Sequence, residues 1–326
     1  MKTFKIFKLK FKSSFHTGER ENIYEKTDFI IHSDTFFSAF CFNFLLLYGE
    51  NELGGLLNKF KNGNPPFLIS SLFPFRNEEL YFPVLLNQMP KDKQMKKILY
   101  IEKNGFEKLL EGEKIENLKD YKFIYKNGLL AGEKDYNNEK NKVWDILENP
   151  RVGLSRLSSH PGESYFHFGE VFYKEDCGLF FLVEFKEKEI EKKFIPTLRL
   201  MQDEGIGGDR TVGKGHFEIN GIEEIKINEP EGKNCVILSL YYPTETEISD
   251  LKDGYYEIVE RKGYIYSPYI KSLRRKSIKM FKEGSVFPGV KKGTLIDITP
   301  EIFNKHKIYR YGFAFYFKCK EVKNEN

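Results

Sequence analysis

Two α+β units in series are predicted by three features of the 326-residue chain. Residues 1–224 read as strand, helix, strand, a long insertion at about 77–177, strand, helix, strand. Residues 233–326 repeat the order β-α-β-β-α-β in shorter form. Between them the stretch Ile222 to Asn234 is charged and carries Pro230 and Gly232, the composition of a linker. Both orders are the ferredoxin-like pattern.

The first strand is Phe4 to Phe11, where Phe7, Leu9 and Phe11 alternate with lysines. A polar loop follows, with His16 in it. The first helix starts at His32-Ser33-Asp34-Thr35, with Ser33 or Asp34 as N-cap, and stops at Gly49 after Tyr48. Phe67 to Phe75 is the second strand. Arg151 to Leu157 and Ser164 to Tyr173 form a hairpin about Ser158 to Glu163. Gly178 to Phe185 is a strand. Ile190, Phe194, Leu198 and Met201 share one helical face, with Pro196 as a kink or a start. A glycine-rich loop and the strand His216 to Asn220 end the first unit. The second unit has strands at Val236 to Tyr242, Tyr256 to Tyr266, Ser277 to Phe287 and Ile308 to Cys319. Its short helices fall at Thr244 to Lys252 and Pro300 to His306. In the last strand Tyr309, Tyr311, Phe313, Phe315 and Phe317 lie on one face.

Composition excludes several classes. Hydrophobic residues are 40% and charged residues 31%, as in an ordinary globular protein. The longest apolar stretch, Phe36 to Tyr48, is shorter than the ~20 residues a membrane helix needs and is broken by Ser38 and Asn43. The N-terminus alternates like a strand rather than a signal peptide, and a cytoplasmic location is expected. Cys41, Cys177, Cys235 and Cys319 are scattered without a C-x-x-C pair, against both a structural zinc and a disulfide framework. The net charge of +4 is only mildly basic. The 31 Phe and 19 Tyr belong mostly to the core, since large apolar side chains are usually buried.

The most informative segment is Gly205-Ile206-Gly207-Gly208-Asp209-Arg210-Thr211-Val212-Gly213-Lys214-Gly215. Its five glycines in eleven positions permit turns with φ > 0 and bring backbone N–H groups close to an anion. Arg210 and Lys214 add positive charge, and together these suit a phosphodiester backbone. Gly208 to Lys214 also reads G-x-x-x-x-G-K, close to a nucleotide-binding P-loop. However, Gly215 stands where a magnesium-holding Ser or Thr is required. The predicted helix also precedes the loop, so no helix N-terminus faces a phosphate.

This segment, followed by a strand, resembles the glycine-rich loop of the RAMP superfamily of CRISPR proteins. Three further segments resemble one branch of it: Ile31-His32-Ser33-Asp34-Thr35-Phe36-Phe37-Ser38-Ala39, Gly284-Ser285-Val286-Phe287, and Ile308-Tyr309-Arg310-Tyr311-Gly312-Phe313-Ala314. That branch caps type III-A (Csm) effector complexes at the 5′ handle of the guide RNA (crRNA). Lys91 to Asn149 match nothing in it. The resemblance implies two ferredoxin-like (RRM-like) domains and no cofactor. It implies three partners: the guide RNA, the large polymerase-type signature subunit and the backbone RAMP subunit. It makes Gly205, Gly207, Gly208, Arg210, Thr211, Gly213 and Lys214 RNA contacts, although relatives often carry an aromatic residue at the Lys214 position.

Other residues extend this set. Arg151, Arg156 and Ser158 on the hairpin offer guanidinium forks and a hydroxyl to phosphate. Arg274 and Arg275 sit in a basic run from Lys271 to Lys282 and could flank the RNA. His16 and Ser33 complete the expected RNA-binding set. No catalytic or metal-binding residue is expected. The alternative is an endoribonuclease that processes CRISPR transcripts with His16 or His32 as acid–base. Asp28 and Asp34 are the only carboxylates near the first helix that metal-assisted cleavage could use, and no D-x-D motif supports them.

Overall fold

The computed structural model describes residues 2–18, 25–132, 141–154, 161–270 and 272–323. Its first unit is built on β1 (Lys2–Phe11) and α1 (Ser33–Lys61). Next come β2 (Phe67–Ile69), β3 (Phe73–Arg76), β4 (Glu79–Pro83) and β5 (Ile98–Glu102). Helix α2 (Lys103–Leu110) and the short strands β6 (Phe123–Tyr125) and β7 (Leu130–Ala131) follow. The hairpin β8 (Trp144–Leu154) and β9 (Pro161–Tyr173) leads to β10 (Cys177–Phe185), α3 (Lys188–Glu204) and β11 (Phe217–Ile227).

One sheet runs β11-β1-β10-β3-β4-β5-β6-β7, with β2 also paired to β10. Its pairings are antiparallel. Alternation along β1 turns Phe7 and Leu9 toward the helices. Phe7 stacks on Phe181 of β10 at 5.1 Å between centroids, Phe36 of α1 meets Phe181 at 4.4 Å, and Phe40 meets Phe194 of α3 at 4.7 Å. The phenylalanines named here are core residues, as expected.

Several boundaries differ from the sequence reading for physical reasons. Gly49 breaks α1 with φ 80°, ψ 175°, but helix resumes beyond it to Lys61. It resumes because Leu56 and Phe60 recur at helical spacing and are buried, Phe60 against Phe37 at 4.9 Å. The expected strand Phe67 to Phe75 is interrupted at Ser71, whose N–H leaves the sheet to donate to the Leu238 carbonyl at 2.8 Å. The insertion is no separate body: β4 to β7 continue the main sheet. The hairpin strands are longer than expected, because β8 begins at Trp144, which is buried and stacked on Phe29 at 4.5 Å. The supposed linker is mostly strand. Lys5 faces Glu224, and Lys8 Nζ lies 3.3 Å from Glu223, so opposite charges accompany the pairing of β11 with β1 out to Ile227. Residues 228–233 make the connection.

The second unit comprises β12 (Asn234–Ile237), β13 (Ile258–Arg261), β14 (Ile278–Phe281), β15 (Val286–Pro288), β16 (Gly293–Asp297), β17 (Tyr309–Phe313) and β18 (Tyr316–Cys319). They form the ladders β15-β12-β18, β13-β14 and β16-β17. The expected helix after Thr244 is a 3-10 segment, Glu245–Leu251, held by a Thr244–Glu247 capping box. The expected helix Pro300 to His306 is a turn. Phe303 is buried there, but Ile302 is 79% exposed, so no apolar face exists to hold a helix down. The last strand breaks at Ala314, where Ser239 Oγ donates to Phe313 O at 2.7 Å and accepts from Phe315 N at 2.9 Å.

The two units are joined by buried charge at the start of α1. Asp34 is fully buried and receives Arg261 of β13 through Nε and Nη2, both at 3.0 Å, and also Arg310 of β17. Burial alone would raise the Asp34 carboxyl, but the two guanidiniums hold it well below the usual carboxylate range. The N-cap position is His32, without a side-chain cap; Asp34 serves the interface instead. His32 donates from Nδ1 to Glu283 and from Nε2 to Asp28, each at 2.7 Å. Burial alone would pull the imidazole down, yet the carboxylates of Glu283 and Asp28 push it up to about 10.

Replacing Asp34 with Ala strands two buried guanidiniums, and a loss of about 3–5 kcal/mol in urea unfolding is expected. A loss near zero would show that the pair is not what joins the units. His32 is expected to stay protonated well past neutral pH. Its contribution to stability is complete below about pH 6.5, where an unfolded histidine is also charged, and fades as pH rises toward 10. An NMR titration of its ring protons with a midpoint near the ordinary value would refute this.

Candidate nucleic-acid interface

Helix α3 ends at Gly205, whose φ of 76° turns the chain out of the helix. Gly207 and Gly208 then pass against the segment after β1. A Cβ on Gly207 would stand 2.5 Å from the His16 carbonyl, and the Gly208 N–H donates to that carbonyl at 2.8 Å. A single 3-10 turn, Arg210–Val212, forms the crest between Asp209 and Gly213, both left-handed. Gly215 closes the loop: its N–H donates to Ser14 O at 2.8 Å, and its own carbonyl accepts from Ile206 N at 3.0 Å. A side chain at Gly215 would meet Ile206 O at 2.0 Å with φ at 74°, so glycine is required there. The order helix, loop, strand agrees with the sequence reading and differs from a P-loop.

At the base of the loop lies the buried carboxylate Glu170 of β9. It accepts from Ser14 Oγ at 3.1 Å, Asn149 Nδ2 at 3.0 Å, Arg151 Nη2 at 2.8 Å and Lys214 Nζ at 3.0 Å. Burial pushes Glu170 up, but Lys214, Ser14 and Arg151 bring it below its ordinary value. Arg151 also pairs with Asp209 and lies 3.9 Å over the Phe168 ring. Both cations are therefore anchored on one side and keep about a third of the side chain in solvent, 30% for Arg151 and 27% for Lys214. His16 is held by Gly169 O at 2.8 Å from Nδ1 and lies 4.4 Å from the Phe168 ring; burial takes it below its ordinary range.

The crest is different. Thr211, Val212 and Gly213 are exposed. Arg210 is packed against aromatic rings despite its place among glycines. Its guanidinium sits 4.8 Å from the ring of Tyr266 and 5.4 Å from that of Phe42. Tyr266 belongs to the second unit, in the loop between β13 and β14 that also carries Arg274 and Arg275. Arg274 lies 5.7 Å over Tyr264, and Arg275 donates to Lys262 O at 3.0 Å from Nη2.

The fold thus gathers His16, Arg151, Gly205, Gly207, Gly208, Arg210, Thr211, Gly213 and Lys214 about one loop, with Arg274 and Arg275 on the loop that Arg210 touches. Ser33 is a correction. It is fully buried and its Oγ accepts from Leu240 N at 3.0 Å, so it ties the two units together and faces no ligand. Arg156 and Ser158 lie outside the described residues. The sequence reading missed Glu170, Asn149, Phe42 and Tyr266. A lone glutamate on a strand carries no local signal; the tyrosines of the run Tyr264-Ile265-Tyr266 were legible but were read as strand. Among the described residues no group of three His, Cys, Asp or Glu gathers to hold a metal, and no helix is long and apolar enough to cross a membrane.

The RAMP superfamily model matches residues 8–218, and that of the CRISPR Csm4 C-terminal domain matches residues 230–319. The chain is 28% identical to the CRISPR system Cms protein Csm4 of Methanocaldococcus jannaschii, over 94% of this chain and 95% of the relative. It is 25% identical to the Csm4 of Thermococcus onnurineus, over 88% and 90%. A chain in the crystal structure of a Csm3-Csm4 subcomplex of the type III-A CRISPR-Cas interference complex shares its fold at a TM-score of 0.66 and 20% identity, over 97% of this chain and 99% of that one. A chain in a Csm1-Csm4 cassette with pppApA does so at 0.61 and 20% identity, over 99% and 100%. With the superfamily model covering the glycine-rich loop and most of the first unit, and the Csm4 domain covering most of the second, the chain belongs to the RAMP superfamily as a protein of the Csm4 kind.

Proposed function

We propose that this chain is the non-catalytic subunit of a type III-A CRISPR (Csm) effector complex that holds the 5′ handle of the guide RNA. The observation that carries this reading is the glycine-rich loop. Its crest is exposed, Arg210 stands beside it, and the anchored cations Arg151 and Lys214 lie at its base. Flexible glycines let a phosphodiester approach the backbone, and fixed guanidiniums match phosphate oxygens without side-chain ordering at the moment of binding. The first unit supports a ferredoxin-like reading: β1, β2 with β3, β10 and β11 stand in the order four-one-three-two, antiparallel, with α1 and α3 on one face. We read the second unit as a shorter variant in which helices have been reduced to turns. The large signature subunit and the backbone RAMP subunit are the proposed protein neighbours, in keeping with the complexes in which the structural relatives were solved.

The geometry disfavours the endoribonuclease alternative. A general base must accept a proton near neutral pH, and His32 is a buried imidazolium between two carboxylates. His16 has Nδ1 committed to a carbonyl and is buried. Asp28 is tied to His32 and Asp34 to two arginines, so neither is open to a metal.

The test is co-purification of the tagged chain from cells carrying a CRISPR locus. A short RNA of constant 5′ end, with a large subunit, is the expected yield; recovery without RNA would overturn the reading. Arg210→Ala is expected to weaken RNA binding at all sequences and to flatten the slope of log affinity against log salt by about one unit. An unchanged slope in a folded variant would remove Arg210 from the phosphate path. The purified chain should leave repeat RNA intact. Site-specific cuts lost in the His16→Ala, His32→Ala double variant would restore the endoribonuclease.

A further inference from the structure

We infer that the loop joining β13 to β14 is a base-stacking platform, on which unpaired nucleobases lie against Tyr266 and Tyr264 while the glycine-rich loop holds the backbone. This rests on the RNA-binding reading above and names the part of the site that would meet bases rather than phosphates.

The platform is built and held open. Ile265 N donates to Leu273 O at 2.8 Å and Arg275 N to Gly263 O at 3.0 Å, which closes the loop into a fixed stem. Ile265 is buried, and its neighbours Tyr264 and Tyr266 remain 43% and 69% exposed. Residues two apart on extended chain lie on one face, about 6.6 Å apart, room for a base against each ring. Each tyrosine has a guanidinium over its ring, Arg274 at Tyr264 and Arg210 at Tyr266. Phe42 meets the Tyr266 ring edge-on at 5.1 Å and 79°, which fixes its tilt.

Charge favours nucleic acid over a protein as the occupant. From residue 262 to residue 276 the chain carries Lys262, Lys271, Arg274, Arg275 and Lys276 and no carboxylate; Lys262 and Lys276 pair with Glu260 and Glu301 outside the run, at 2.9 and 3.6 Å. The chain as a whole nearly balances, with 52 basic and 48 acidic residues. A basic surface bearing open aromatic rings is what single-stranded nucleic acid requires, because every base has a face to stack. Arg210 joins the two surfaces, since it touches Tyr266 and stands on the crest of the glycine-rich loop.

The experiment titrates the full-length chain with an eight-nucleotide RNA and with an abasic ribose–phosphate chain of equal length and charge. Tyr266→Ala is expected to weaken RNA binding about 5- to 100-fold. It should leave both the abasic affinity and the salt slope unchanged, and Tyr266→Trp should retain RNA affinity. Equal losses for both ligands would reduce Tyr266 to a support for Arg210 and overturn the platform. No loss for either would overturn it as well. In both cases wild-type binding would persist and the RNA-binding reading would stand. Release of a co-purifying protein by Tyr266→Ala, with base dependence intact, would assign the surface to that protein. A wild type that binds neither ligand would sink both readings together.

Discussion

A carboxylate with no access to water sets the geometry of this molecule. Asp34 opens the first helix of one unit and takes both of its cationic partners, Arg261 and Arg310, from the other. A buried charge is costly unless paired, so this arrangement exists only when the units are docked in one way. His32, two residues earlier, repeats the device with the signs reversed, as a cation between Asp28 of its own unit and Glu283 of the other. Apolar packing adds area to this interface, with Phe4 against Phe315 at 5.3 Å and Phe37 against Tyr311 at 5.0 Å. Aromatic packing tolerates sliding; paired ions with fixed hydrogen-bond directions do not.

The consequence reaches the loops. Arg261 is the last residue of β13, and the next residue begins the basic tyrosine loop. Arg310 also donates to the Lys262 carbonyl at 3.4 Å. Asp34 therefore holds the root of that loop, and through it the position of Tyr266 beside Arg210. On the other side Glu170 performs a similar task for the glycine-rich loop, gathering Ser14, Arg151 and Lys214 from three chain segments. Each of two buried carboxylates thus fixes the root of one loop, Asp34 through the buried Arg261 and Arg310 and Glu170 through Arg151 and Lys214, which keep part of their side chains in solvent. Neither unit carries both loops.

Much of the architecture was legible because it rests on local periodicity. The alternation of Phe7, Leu9 and Phe11, the helical face of Ile190, Phe194, Leu198 and Met201, and the glycines after α3 all announce themselves within a dozen residues. What was not legible depends on partners distant in sequence. Asp34 reads as a helix cap until Arg261 and Arg310 arrive from the second unit. Ser33 reads as a helix cap or an RNA contact until the Leu240 N–H is seen donating to its Oγ. Ile222 to Ile227 look like a charged linker until Glu224 is seen opposite Lys5 and Glu223 beside Lys8 of β1. The turn at Pro300 fails as a helix because only Phe303 finds a place to be buried. Among the expected site residues, the glycine-rich loop stands out in the sequence by its five glycines in eleven positions. Glu170, which orders it, does not, since its role is defined by three segments that only the fold brings together.

The same accounting bears on chemistry. Histidines before the first helix invite a catalytic reading, and the sequence left that open. The fold spends these titratable groups on structure. His32 lies between two carboxylates, each at 2.7 Å, which push its proton affinity up and commit both ring nitrogens to structure. His16 is buried against Phe168 with its Nδ1 bound to the Gly169 carbonyl, next to Glu170 on the same strand. The arginines over aromatic rings and the lysine over a buried glutamate are likewise fixed before any ligand arrives. Groups immobilised in this way suit holding an anionic chain in one register; they do not suit the proton transfers that cleavage of that chain requires.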